Sequence, residues 1–333
     1  MNKSTAFRYE KEHKRYWITL AILLVLGLLF AIGLLVYNNP VAVTSPSFLP
    51  VVQRRINAVI AMAIVAMAQS LATIAFQSVT SNRIITPSIL GFESLYTAIQ
   101  TSVMFFFGTR ALLEFTGMGP FIFQIVLMVG LSLILYGWLL TGKNRDLQLL
   151  LLVGMIIGSG LRSVSLFMRR LLSPSEFDIL QARLFASVNH ADPKYFGIAL
   201  VLIVAVMILL FWYTRRLNVL NLGKDVSVSL GLNHQRGVIF VLVLVSILMS
   251  VSTALVGPMT FFGFLVATFT YRLVPTYDHR YYFPMAMVLG FLVMTGSYFV
   301  MYHIFNAQGV VSILIEFVGG MIFLLTIYRR GEE

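Results

Sequence analysis

Cysteine is missing from all 333 residues, which excludes a disulfide framework, a thiol nucleophile and a thiolate-bound metal. Charge is scarce too. Asp, Glu, Lys and Arg together make up 11% of the chain, against about a quarter in an ordinary soluble domain. Histidines number 5, at His13, His190, His234, His279 and His303, with no His-Glu-x-x-His or comparable spacing. A metal centre or an intramembrane protease therefore has no ligand set to grow from. A phosphate-binding loop is absent as well. Gly137-Trp138-Leu139-Leu140-Thr141-Gly142-Lys143-Asn144 has the glycine and lysine spacing of one. Asn144, however, stands where the magnesium-binding Ser or Thr belongs, and the first half is an apolar helix rather than a strand and loop. The chain is expected to hold no catalytic residue, no metal and no nucleotide of its own.

What is present is hydrophobicity. Apolar residues make up 59% of the chain, and the mean hydropathy is +0.88. Apolar runs fall near 16–37, 56–77, 88–108, 120–140, 148–167, 195–214, 238–256, 259–273, 282–303 and 310–328. A run of about 20 apolar residues spans a bilayer as a helix, and continuous rather than alternating hydrophobicity selects helices over barrel strands. The pattern predicts an all-α polytopic membrane protein of about ten spans, forming a single domain over 1–333. The run from Tyr16 to Tyr37 is too long for a signal-peptide core and lacks a small-residue cleavage site, so it reads as the first span.

The net charge of +11 does not indicate nucleic acid, because the Lys and Arg sit in loops beside apolar runs, where they meet lipid headgroups and set topology. With the N-terminus inside, sixteen of the 24 basic residues fall on the inner side. Both termini are then cytoplasmic, with 1–15 a cytoplasmic lead-in. Two connections are longer than the rest. The outer one, Arg169 to Lys194, predicts a surface helix from Glu176 to about Val188 with Ser175 as N-cap. The inner one, 215–237, predicts short surface helices broken at Gly223 and Gly231.

Ionisable groups within the spans are few. Glu93 lies in the first turns of the third span and Glu316 inside the tenth. An intramembrane carboxylate is a functional candidate by default; against that, Glu93 is expected to snorkel to the inner interface near Arg83, and Glu316 to bond between helices. Gly154, Gly158 and Gly160 form a small-residue face that lets helices approach closely or leaves room along a pathway.

Several segments together resemble the iron-siderophore and vitamin B12 permease family of ABC importers, from about residue 48 to 330. Arg54-Arg55-Ile56 stands where that family has an Arg-Leu-Pro-Arg signature, although the second arginine falls at Ala58. Phe76-Gln77-Ser78-Val79-Thr80-Ser81-Asn82 with Thr86-Pro87-Ser88-Ile89-Leu90-Gly91 is similar to its Gln-x-x-x-x-Asn-Pro and Pro-x-x-Leu-Gly stretch. Leu217-Asn218-x-Leu220-x-Leu222-Gly223 with Leu230-Gly231-Leu232 resembles its cytoplasmic coupling loop. Gly257-Pro258-x-x-Phe261-x-Gly263 and Asp278-His279-Arg280 are similar to its eighth span and the following loop. Asn82-Arg83-x-x-Thr86-Pro87-Ser88-Ile89-Leu90-Gly91 and Gly319-Gly320 resemble the subgroup for catecholate siderophores of the petrobactin and anguibactin kind, and in it the second of two paired permeases. Gln308-Gly309-Val310 replaces the usual Glu-Leu-Pro.

The resemblance implies a permease subunit of a bacterial inner (cytoplasmic) membrane importer for ferric siderophore. Its partners would be a second, related permease, two ATPase subunits carrying ATP and magnesium, and an extracytoplasmic siderophore-binding protein. Iron would enter only as the siderophore complex. Arg54 and Arg55 would dock the binding protein. Leu217, Asn218, Leu220, Leu222, Gly223, Leu230 and Gly231 would couple to the ATPase, and Gln77, Gly154, Gly158 and Glu316 would line or gate the pathway along the second, fifth and tenth spans. An ion-coupled secondary transporter is the alternative that ten spans would equally fit.

Overall fold

A computed structural model describes residues 6–7, 9–37, 45–141, 147–305 and 311–330. The apolar runs form helices because a segment shielded from water satisfies its amides only by bonding to itself or to protein. Twelve α-helices succeed one another among the described residues: α1 Glu10–Val36, α2 Phe48–Val79, α3 Phe92–Glu114, α4 Met118–Thr141, α5 Leu147–Arg170, α6 Pro174–Leu184, α7 Phe196–Leu220, α8 Lys224–Ser229, α9 His234–Val256, α10 Phe262–Leu273, α11 His279–His303 and α12 Val311–Arg330. Seven of them (α1, α2, α4, α5, α7, α9 and α11) contain a stretch long and apolar enough to cross a membrane. This is an all-helical, multi-pass architecture, as the hydropathy pattern implies. Lys3, Arg8, Lys143, Asn144 and Gln308-Gly309-Val310 lie outside the described residues.

The bundle is built around α2, which packs against α7, α9, α10 and α11. From Ala61 to Val79 its side chains are buried on almost every face. Small residues make that possible. A Cβ at Gly263 would overlap Thr73 Oγ1, and one at Gly290 would overlap Ser70 Oγ, so backbones approach where lipid offers no hydrophobic drive for association. At the periphery α1 lies on α11 and turns Ile18, Ile22, Val25, Leu29 and Ile32 outward.

Two helices start inside the bundle rather than at its surface. A 3-10 turn, Pro87–Leu90, leads into Gly91 at φ +89°, and α3 begins there. Gly91 faces Gly158, midway along α5; a Cβ on either would stand 3.1 Å from the other's Cα. α9 ends at Val256, and α10 restarts at Phe262 after the break from Gly257 to Phe261. Gly257 is pressed against Ala186, with a Cβ position 3.1 Å from its Cα. The third and eighth apolar runs of the sequence are therefore broken segments, and α3 is kinked again at Gly108.

Local signals in the sequence point only partly to the observed ends of elements. The outer surface helix is Pro174–Leu184, capped by Ser173 rather than Ser175. Pro174 takes the first helical position, where its missing N–H costs nothing, and that moves the cap one residue ahead of it. Ser173 Oγ accepts from Glu176 N, while Glu176 accepts from Ser173 N at 2.9 Å. These bonds from Ser173 hold the Glu176 carboxyl below the usual carboxylate range. In the inner connection, Leu217 to Leu220 continue α7 and only α8 is separate; the breaks at Gly223 and Gly231 stand, both with positive φ.

Gly91 is the critical residue of this packing. Gly91→Ala should lower stability by about 1–2 kcal/mol through left-handed strain alone, with overpacking against Gly158 added. Gly160→Ala, where nothing lies within 4 Å, should stay within about 0.5 kcal/mol. Thermal unfolding of the detergent-solubilised protein compares the two.

Candidate functional site

Three groups of polar side chains stand apart from the packing: one at the centre of the bundle and one at each end. At the centre, Glu93 is only 5% exposed. Ser88 Oγ donates to its Oε1 at 2.8 Å, and Thr260 Oγ1 donates to its Oε2 at 2.6 Å. It does not snorkel to an interface, because α3 starts at the level of Gly158, and a buried carboxylate there needs donors in place of water. Thr260 belongs to the α9–α10 break, so this bond joins the two breaks. Glu316, half-buried, is within reach of the Thr260 N–H and close enough to Glu93 for the two to interact. The acids that stand 223 positions apart in sequence are thus neighbours. Arg162 also interacts electrostatically with Glu93.

Gly154 and Gly158, read from sequence as pathway candidates, face the 3-10 turn: a Cβ at Gly154 would lie 3.0 Å from Leu90 Cδ2. Gln77, another pathway candidate, is buried, and its Nε2 donates to Arg83 O at 2.9 Å. It latches the turn that follows α2. The guanidinium of Arg83 lies 4.5 Å from the centre of the Tyr271 ring.

At the α8 end a hydrogen-bonded clamp joins three helices. Asn218 Nδ2, on α7, donates to Asp278 Oδ1 at 3.0 Å, and Asn218 Oδ1 accepts from His279 N at 3.0 Å. His279 Nδ1 bonds the same Asn218 oxygen, and its Nε2 lies 2.5 Å from Ser78 Oγ at the end of α2. Asp278 in turn caps α11. The sequence motifs contain Asn218 and Asp278-His279 in separate stretches; only the fold brings them together. The predicted coupling residues divide here. Leu217 and Leu220 are buried in the core, while Leu222 and Leu230 are 59% and 61% exposed. Val226 and Val228 on α8 are exposed as well, so four apolar side chains between 222 and 230 are open to the surroundings. Gly223 starts α8 at φ +95°, a backbone that glycine adopts without strain.

At the α6 end the two arginines also divide. Arg55 Nη1 donates to the carbonyls of Leu34, Leu35 and Tyr37 at 3.0, 3.3 and 3.1 Å, satisfying orphan acceptors at the end of α1. Arg54 is exposed and lines a cavity of about 470 Å³ with Gln53, Asn57, Asn189 and Asp192. Asp192 brings an acid beside Arg54 that the sequence near Arg54 does not contain. Among the described residues no cluster of three or more His, Asp or Glu could hold a metal ion.

The pattern of the FecCD transport family matches residues 17–329. The chain belongs to this family. The petrobactin import system permease protein FatC of Bacillus anthracis is 64% identical over 327 residues, covering 98% of this chain and 92% of that protein. FatD, another petrobactin import system permease protein of that species, is 25% identical over 280 residues, 84% of this chain and 81% of its own length. Among solved structures, the inward-facing conformation of a metal-chelate type ABC transporter aligns with TM-score 0.78 and 19% identity, over 93% of this chain and 99% of that one. At that identity the likeness carries the fold alone.

The different roles of the paired arginines can be measured. Arg55→Ala should destabilise by about 1–3 kcal/mol, since buried or partly buried carbonyls lose a charged donor, and should raise amide exchange at the last turn of α1. Arg54→Ala should change stability by less than about 0.5 kcal/mol.

Proposed function

We propose that this FecCD chain is the permease subunit of an ABC importer that carries a ferric siderophore of the petrobactin class into the cytoplasm. The observation that carries the reading is the segment from Leu222 to Leu230, four exposed apolar side chains on and beside the short helix α8, with Lys224, Asp225 and Arg236 exposed in the same stretch. Exposed apolar surface rimmed by charge is the form of a protein interface. The clamp through Asn218, His279 and Ser78 ties that segment to α2, so a push on α8 moves helices as a body between discrete packings. A separate ATPase dimer, holding ATP and magnesium, would supply the push. Leu222, Leu230 and the Gly223 and Gly231 turns are the contact side of this coupling loop, 215–237, and the buried leucines anchor it.

The basic residues of the loops favour the α8 end as cytoplasmic, both termini inside and ten membrane crossings, three of them made by the broken or short helices α3, α10 and α12. On this reading 1–333 is one permease domain of a bacterial cytoplasmic membrane, paired with a second related permease. FatC and FatD, both named as permease proteins for petrobactin import in one species, support such a heterodimer. Arg54, at the mouth of the outer cavity, would meet the siderophore-binding protein; Arg55 would hold the rim in shape. Iron passes as its chelate and is cargo, not a resident metal.

One observation favours a second reading. Glu93 and Glu316, as neighbours, resemble in outline the carboxylate pairs of ion-coupled carriers. The two readings separate in proteoliposomes containing both permeases and the ATPase. Ferric petrobactin uptake should require binding protein and ATP, Glu316→Gln should retain more than half of it, and Gly223→Trp should abolish both uptake and co-purification of the ATPase. Uptake driven by an ion gradient without ATP, and lost in Glu316→Gln, would establish the carrier instead.

A further inference from the structure

Ahead of α1 the chain folds back on the bundle. Phe7 is buried, and its ring meets three others: Tyr281 edge-on at 4.6 Å between centres, His13 at 5.0 Å and Tyr16 at 5.9 Å. Tyr16, 1% exposed, donates from its hydroxyl to Tyr281 O at 3.0 Å. Next to Phe7, Ala6 O accepts from Thr276 Oγ1. Thr276 sits in the non-helical connection 274–278 between α10 and α11, and its Oγ1 also accepts from Asp278 N at 3.4 Å. Asp278 and His279 are the residues that Asn218 bonds. The start of α11 is therefore held by two separate sets of contacts, one from Asn218 and Ser78, the other from Ala6, Phe7 and Tyr16.

We infer that Ala6 and Phe7 form a strap that positions the clamp, with Thr276 as its anchor, so that a push on α8 reaches α2 instead of displacing the α10–α11 connection. The inference rests on the importer reading above. A clamp passes on movement only where its far side does not yield. That side is Asp278 and His279, which follow directly on the non-helical connection, where Tyr277 is exposed. Thr276 stiffens the connection, since one hydroxyl donates to the strap and accepts from the residue that caps α11. The rings fix the first turn of α11 in turn, because edge-on aromatic contacts constrain orientation as well as distance. With α1 packed along α11, the starts of both helices become one body, the kind of unit that shifts between discrete packings. Without the strap the ATPase contact would remain, but part of each push would be lost in the connection. Phe7 and Thr276 are thus positioning residues that act through Asp278 and His279.

The test is the stoichiometry of the assembled transporter, with its second permease, ATPase and binding protein, in proteoliposomes. Phe7→Ala and Thr276→Val should each co-purify with the ATPase and keep at least half of the wild-type ATP hydrolysis. Each should nevertheless consume at least threefold more ATP per ferric petrobactin delivered. Thr276→Ser, which keeps the hydroxyl, should return that ratio to the wild-type value. A ratio unchanged in both variants would overturn the inference, whether uptake is full or falls in step with hydrolysis, because the two residues would then serve packing alone. Loss of co-purification would overturn it too, since the strap would then be needed for assembly rather than for coupling. Wild-type transporter that takes up no ferric petrobactin would instead refute the importer reading itself.

Discussion

Backbone that leaves the helix inside a membrane must find its hydrogen-bond partners within the protein, since lipid offers none. In this chain that constraint is concentrated where the 3-10 turn before α3 meets the break between α9 and α10. Glu93 takes hydroxyl donors from both sides, Ser88 from the turn and Thr260 from the break. Gly91 lies against Gly158, and Leu90 covers Gly154, because two backbones can meet so closely only without side chains between them. The glycines of α5 are thus explained first by packing.

The ends of the bundle are tied to this centre in different ways. At the α8 end the tie is polar and specific: one asparagine bonds both the cap of α11 and the histidine that reaches α2. Truncating Asn218 would leave the buried His279 without its partner on α7, which costs more than the bond itself contributes. At the α6 end Arg55 closes the last turn of α1 while Arg54, its neighbour in sequence, points into an open cavity. Adjacent residues on a helix lie about 100° apart, so one can serve structure while the next remains free for a partner.

Much of the architecture is legible in the sequence because its signals are local. Run length marks the helices, and Gly223 and Gly231 mark the turns around α8, where positive φ is a property of single residues. Depth is not legible. Hydropathy reports how long an apolar run is, not where along its neighbours it starts, so Glu93 reads as a residue near an interface when it sits at the core. Its bond to Thr260 spans 167 positions, beyond any periodicity. The cap at Ser173 is hidden because Ser175 offers the same chemistry, and Pro174 decides between them.

The central claim is that the Glu93–Thr260 bond holds the two breaks together. A double-mutant cycle with Glu93→Met and Thr260→Val, read by unfolding free energy of the detergent-solubilised protein, tests it most directly. If the bond is the joint, the double variant should cost less than the sum of the singles by about 1 kcal/mol or more. Additivity within about 0.5 kcal/mol would mean that the breaks are held elsewhere.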